Sequence, residues 1–120
     1  MKVIRVDEVA KEPWPIKLFT GRVTVQPIIG RDLSKNFSLQ QVNFGKGVRN
    51  KLHSHSTEQV LIVTEGRGIV ATDEEEVGVR PGDIIFIAAG EKHWHGAAEG
   101  STFSHIYVMS PDQETTQIEE

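Results

Sequence analysis

Four of the chain's five histidines fall in two His-x-His pairs, His53 with His55 and His93 with His95, and the fifth is His105. Side chains of a strand alternate between its faces, so the members of each pair point the same way and can hold one ion between them. A neutral imidazole is the commonest metal-ligating side chain. The chain has no cysteine, so a metal site here must use nitrogen and oxygen donors, and disulfides and a cysteine nucleophile are excluded. His105 has the parity of Phe103 and Tyr107, which turns it inward with them. Strand closure that joined the two pairs would bring four imidazoles to one cavity, and binding a metal ion is the chemistry that suits them.

Strands must position these groups, and the chain reads as a series of them. Met1 to Val6 forms a short strand, and Asp7 to Ala10 at most one helical turn before Pro13-Trp14-Pro15. Gly21 to Gln26 alternates as a half-buried strand, with Pro27 pushing it toward a sheet edge. Phe37 to Phe44 is strand-like, but Gln and Asn on both faces leave its inward face open. The turn Gly45-Lys46-Gly47 leads to the strand of His53. Val60-Leu61-Ile62-Val63 and Ile84-Ile85-Phe86-Ile87 are apolar without alternation, as strands buried on both faces are. Between them Ile69 to Thr72 returns from the turn at Glu65-Gly66-Arg67-Gly68. Asp73-Glu74-Glu75-Glu76 is a solvated tip, and Arg80-Pro81-Gly82-Asp83 a turn. Phe103 to Met109 is the last clear strand, and the polar Ser110 to Glu120 is expected to fray. Many short strands without a three-turn amphipathic helix predict an all-β sandwich or barrel.

Thirteen Lys plus Arg against seventeen Asp plus Glu give a net charge of −4, which offers no footprint for nucleic acid or an anionic membrane. At 120 residues, with no linker or repeat, one domain spanning 1–120 is expected. The first residues lack the apolar core of a signal peptide and no later stretch approaches a membrane span, so the expected location is the cytoplasm.

The spacing around the histidine pairs resembles the cupin family. The first cupin motif is Gly, five residues, His-x-His, three or four residues, Glu, six residues, Gly; here it reads Gly47, His53, His55, Gln59, Gly66. The second is Gly, five residues, Pro-x-Gly, two residues, His, three residues, Asn, and reads Gly82, Ala88, Gly90, His93, Ala97. The likeness covers residues 37–109 and leaves 110–120 as a polar tail. It implies a double-stranded β-helix, the jelly-roll barrel, with one divalent transition metal held by His53, His55, His93 and the residue at the Glu position. Gln59 occupies that position; strand parity and the count to Gly66 both favour it over Glu58. Ala88 and Ala97, the other departures, affect turn chemistry only. Three imidazoles and an amide are all neutral, so the ion would keep its full charge and act as a strong Lewis acid.

Within the family the chain resembles small bacterial cupins that include manganese-dependent hydroxynitrile lyases. The likeness lies in Phe19-Thr20-Gly21, Leu61-Ile62-Val63-Thr64, Pro81-Gly82-Asp83, the run from Gly90 to Ala98, and a strand containing His105. This implies manganese as the metal, with Fe, Ni, Co or Zn also suited to the donors. It further implies a small-molecule substrate bearing a carbonyl or hydroxyl, and lyase-type cleavage or addition at a C–C bond. His95 and His105 are its acid and base candidates, His95 having a second reading as a residue that orients a ligand. Trp94 reads as packing, and Phe37, Leu39, Val42, Phe44 and Ile106 as candidates for a small apolar pocket. A dioxygenase and a non-catalytic small-molecule-binding barrel are the alternatives. Such cupins assemble as homodimers or homotetramers, which would also cover the strand Met1 to Val6 and the edge Arg22 to Gln26.

Overall fold

In the computed structural model all 120 residues are described. After a single 3₁₀ turn, Val6–Glu8, the elements are β1 (Glu12–Pro13), β2 (Val23–Ile29), β3 (Ser38–Phe44), β4 (His53–His55), β5 (Gln59–Gly66), β6 (Gly68–Ala71), β7 (Glu76–Val79), β8 (Ile84–Ile87), β9 (Trp94–Ala97), β10 (Phe103–Met109) and β11 (Thr115–Gln117). Six of them form one sheet in the order β1-β2-β3-β10-β5-β8, and the others form the sheets β7-β6-β9 and β11-β4. The bridges Arg49↔Gly96 and His53↔His93 join β9 to the segment leading into β4, so the two smaller sheets run on as one layer. Antiparallel pairing of strands distant in sequence, β3 with β10 and β10 with β5, gives the jelly-roll barrel expected from the sequence.

Alternation decides what faces the interior. Val23 and Val25 of β2, Val42 and Phe44 of β3, Leu61 and Val63 of β5, and Phe103 and His105 of β10 are all buried. Phe44 sits at the centre, its ring 5.8 Å from Phe19, 5.9 Å from Phe103 and 5.7 Å from His105. Burying such a ring contributes about 1.5–3 kcal/mol. Phe103 and His105, two apart on β10, both point inward, and the pairing of β5 with β10 shifts between Ser104 and His105 because β5 carries one extra residue, Thr64. The shift lies next to Gly66, whose φ of 73° and lack of Cβ allow it against the Thr102 carbonyl.

Three expectations differ from the structure. Met1 to Val6 forms no strand, because nothing in the chain pairs with it; the edge of β2 is taken instead by Glu12 and Pro13. The segment after Ser110 is tied down: β11 pairs with β4, and Glu119 accepts two bonds from the Arg49 guanidinium (3.0 and 2.8 Å) and one from the Leu52 N–H (2.9 Å). These are mostly backbone and charge contacts, which leave no apolar pattern to read. Finally, β5 and β8 are buried on one face only, with Ile84 and Phe86 of β8 at 69% and 60% exposure.

Candidate metal centre

His53 and His93 lie directly opposite each other, and each backbone N–H donates to the other's carbonyl, at 3.0 and 2.9 Å. This pairing of the two strands brings the first His-x-His against the second. The rings of His53 and His93 are 4.3 Å apart, those of His53 and His55 4.8 Å, and those of His55 and His93 5.3 Å. All three residues are buried, and their candidate donor atoms lie within 4.8 Å of one another, a group that could hold a metal ion.

The outer ring nitrogens are held in a way that leaves the inner ones free. His53 Nδ1 donates to the Lys51 carbonyl (2.6 Å), and His93 Nδ1 to the Glu91 carbonyl (2.8 Å). His55 Nδ1 lies 2.9 Å from Gln113 Oε1 and 3.0 Å from Thr115 Oγ1. With the proton fixed on Nδ1, each ring presents a lone pair on Nε2. The Nε2 atoms of His55 and His93 are buried with no partner. Unpaired buried acceptors cost stability, and a metal ion is the species that would satisfy several at once. Burial first, then the neighbouring rings, pushes the His53 pKa down to about 3; burial also lowers those of His55 and His93. The rings are therefore neutral at neutral pH, the form in which imidazole binds metal.

Gln59, the first residue of β5, is 4% exposed, and its Oε1 is buried without a partner. It lines the same cavity as His53 and His55, whereas Glu58 is exposed. Gln59 thus brings an unpartnered neutral oxygen to the cavity that His53 and His55 line, and none of these side chains is charged. Gln59→Ala is expected to weaken metal retention on dialysis at least about tenfold while Glu58→Ala leaves it unchanged, a loss of the size outer partners alone cause. Full retention in Gln59→Ala with loss in Glu58→Ala would reverse the assignment.

His95 and His105 stand beside this group, their rings edge to face at 4.9 Å. Asn50 holds His95 from two sides. Its Oδ1 accepts the His95 backbone N–H at 2.8 Å, and its Nδ2 lies 3.2 Å from His95 Nε2. Because Oδ1 is committed to an N–H, the amide NH₂ faces the ring, Nε2 accepts, and the His95 proton sits on Nδ1. His105 is different: both ring nitrogens are buried and neither has a partner. Burial lowers the His105 pKa to about 3, and that of His95 well below its ordinary value. Burial raises the Tyr107 hydroxyl to about 12, so it stays protonated.

A cavity of about 330 Å³ opens onto these groups, lined on its apolar side by Trp14, Phe19, Val42, Phe44, Tyr107 and Met109. Of the pocket candidates read from the sequence, Val42 and Phe44 line it. Phe37, Leu39 and Ile106 have the opposite parity and do not. Trp94 is outside the cavity, under the Arg49 guanidinium at 4.9 Å. Sequence reasoning missed Asn50, Gln113 and Thr115. Counting back from His53 places Lys51, not Asn50, on the inward face; the register slips by one between the His53↔His93 and Arg49↔Gly96 bridges and turns Asn50 inward, to 3% exposure.

Comparison with known proteins agrees with this architecture. Residues 40–109 match the family model described as "Cupin domain". Over 110 residues the chain is 34% identical to an (R)-mandelonitrile lyase of Granulicella tundricola, covering 91% of this chain and 84% of that one. Among solved structures, a cupin-like protein of Thermotoga maritima superposes with a TM-score of 0.86 at 27% identity, over 95% of this chain and 90% of the other. The polyketide cyclase RemF of Streptomyces resistomycificus shares the fold, with a TM-score of 0.87 at 22% identity over 98% of this chain and 85% of its own.

Proposed function

We propose that this chain, which belongs to the cupin family, is a metal-dependent lyase that cleaves or forms the C–C bond of small cyanohydrins. The observation that carries this reading is the set of unpartnered buried atoms, His55 Nε2, His93 Nε2 and Gln59 Oε1, together with a His105 ring that is also unpartnered. His53, His55, Gln59 and His93 would hold one divalent ion, with manganese the first choice among metals these donors suit. When bound, that ion supplies Lewis acidity to the hydroxyl oxygen of the substrate, undiminished by any charged donor. The likeness to the mandelonitrile lyase supports the substrate class.

The remaining groups divide the work. The wall of Trp14, Phe19, Val42 and Phe44 seats an aryl or alkyl substituent and excludes water. Neutral His105 takes the hydroxyl proton on an unpartnered ring nitrogen. As the O–H electrons form the second bond of the carbonyl, the C–CN bond breaks and its electron pair leaves with cyanide. The burial that makes His105 a weak base makes its protonated form a ready acid, and the proton passes on to cyanide. His95, clamped by Asn50, keeps the His105 ring in place by edge-on contact.

Manganese-loaded protein is expected to convert mandelonitrile to benzaldehyde, followed by absorbance, at least about a hundredfold faster than metal-stripped protein and equally well without oxygen. Oxygen uptake with catechol- or dione-type substrates and no benzaldehyde would replace this reading with the dioxygenase.

A further inference from the structure

The Pro13-Trp14-Pro15 run, read from the sequence as a stop to helix, also sets one indole against the cavity. Prolines on both sides restrict the backbone there: each fixes its own φ, and the second holds Trp14 in an extended conformation. The run is tied to the barrel as well. Glu12 and Pro13 pair with Val25 and Thr24, and the Trp14 N–H donates to the Val23 carbonyl at 2.9 Å. The far end of the loop is fastened by the Lys51 N–H on the Leu18 carbonyl at 2.7 Å and the Thr20 N–H on the Arg49 carbonyl at 2.9 Å. A segment held at both ends therefore presents the Trp14 side chain.

That side chain ends a file of rings. From buried His105 the file runs to Phe44 at 5.7 Å, on to Phe19 at 5.8 Å, and out to Trp14 at 5.3 Å. Phe19 and Trp14 are half-buried, and the residues flanking Trp14 are exposed, so the indole stands at the outer end. Phe19 meets both neighbours edge to face, at 87° and 66°, an arrangement that fixes the rings against one another.

We propose that Trp14 sets the size of the substrate, admitting a single ring or a short alkyl chain beside the reacting hydroxyl and refusing bicyclic or longer substituents. The proposal rests on the reading above for where that hydroxyl sits, close to His105. A substituent extending from there along the apolar wall passes Phe44 and Phe19 and then meets the indole. The cavity of about 330 Å³ is already at the small end of the roughly 300–1,000 Å³ usual for small-molecule sites. Enlarging it past Trp14 requires breaking the backbone bonds that fasten the loop. In an apolar pocket one methylene too many or too few changes discrimination by about 10–200-fold, so a fused second ring should be refused at least about tenfold.

Calorimetric binding of two alcohols to manganese-loaded protein tests this without turnover, since neither has a nitrile to lose. Wild type is expected to bind benzyl alcohol at least about tenfold tighter than 2-naphthylmethanol. Trp14→Ala should remove or reverse that preference. Trp14→Phe keeps a ring against Phe19, and with it the packing of the loop, and its ratio should fall between the two. Trp94→Phe, outside the cavity, should keep the wild-type ratio. A wild type without the preference, or a Trp14→Phe variant with the wild-type ratio, would overturn the proposal, as would a folded Trp14→Ala that keeps it. The expected order of binding with no benzaldehyde formed from mandelonitrile would strike the lyase reading and leave the size limit standing.

Discussion

His93→Ala is expected to weaken metal binding and lower turnover together while leaving the fold in place. The backbone bonds between residues 93 and 53 do not involve the side chain and survive the change. What is lost is one of the four neutral donors, and the ring closest to His53. Disturbing only an outer partner of a ligand costs about 10–100-fold in affinity, so removing the ligand itself should cost more than about a hundredfold. Thermal melts separate this from unfolding. Wild-type protein should gain stability as metal is added, about 4 kcal/mol at a thousandfold excess over Kd, and His93→Ala should gain less than about 1.5 kcal/mol over the same range. Turnover of the variant should fall toward that of metal-stripped wild type. A variant that melts with the wild-type metal dependence would remove His93 from the site.

His105→Gln is expected to lower kcat by about 10²–10⁴ with metal content unchanged, the size of effect associated with losing a positioned proton carrier. The assignment rests on the difference between two neighbouring histidines. His95 Nε2 accepts from Asn50, and using it as a base would sacrifice that bond. His105 has both ring nitrogens unengaged in an otherwise apolar surrounding of Phe44 and Phe103. Asn50→Ala should therefore act more mildly, through the orientation of His95, and lower kcat by about tenfold. Wild-type kcat in His105→Gln at full metal occupancy would transfer the proton step elsewhere, with the protonated Tyr107 hydroxyl the next group in the cavity.

The shared inward facing of His53, His55 and Gln59 was legible because strand alternation is a short-range rule. His53 with His55, and Gln59 rather than Glu58, follow from parity and from the count to Gly66. The all-β class follows from the turns between short strands. What escaped lies where no local rule operates. Asn50 is turned inward by a one-residue slip between two bridges that involve residues far apart in sequence. Gln113 and Thr115 reach His55 from a polar tail whose strand is held by pairing to β4 rather than by an apolar stripe. Trp14 and Phe19 enter the cavity wall from the loop before β2, where periodicity carries no information. The apolar runs of β5 and β8 were legible as strands but promised a second buried face that a single chain does not provide.

The central claim is that His53, His55, Gln59 and His93 form one metal site, and metal analysis of the purified protein tests it most directly. Protein prepared without added metal, and again after loading with Mn, Fe, Co, Ni or Zn, should carry one divalent ion per chain after dialysis. No retained divalent metal under any loading condition would contradict the account.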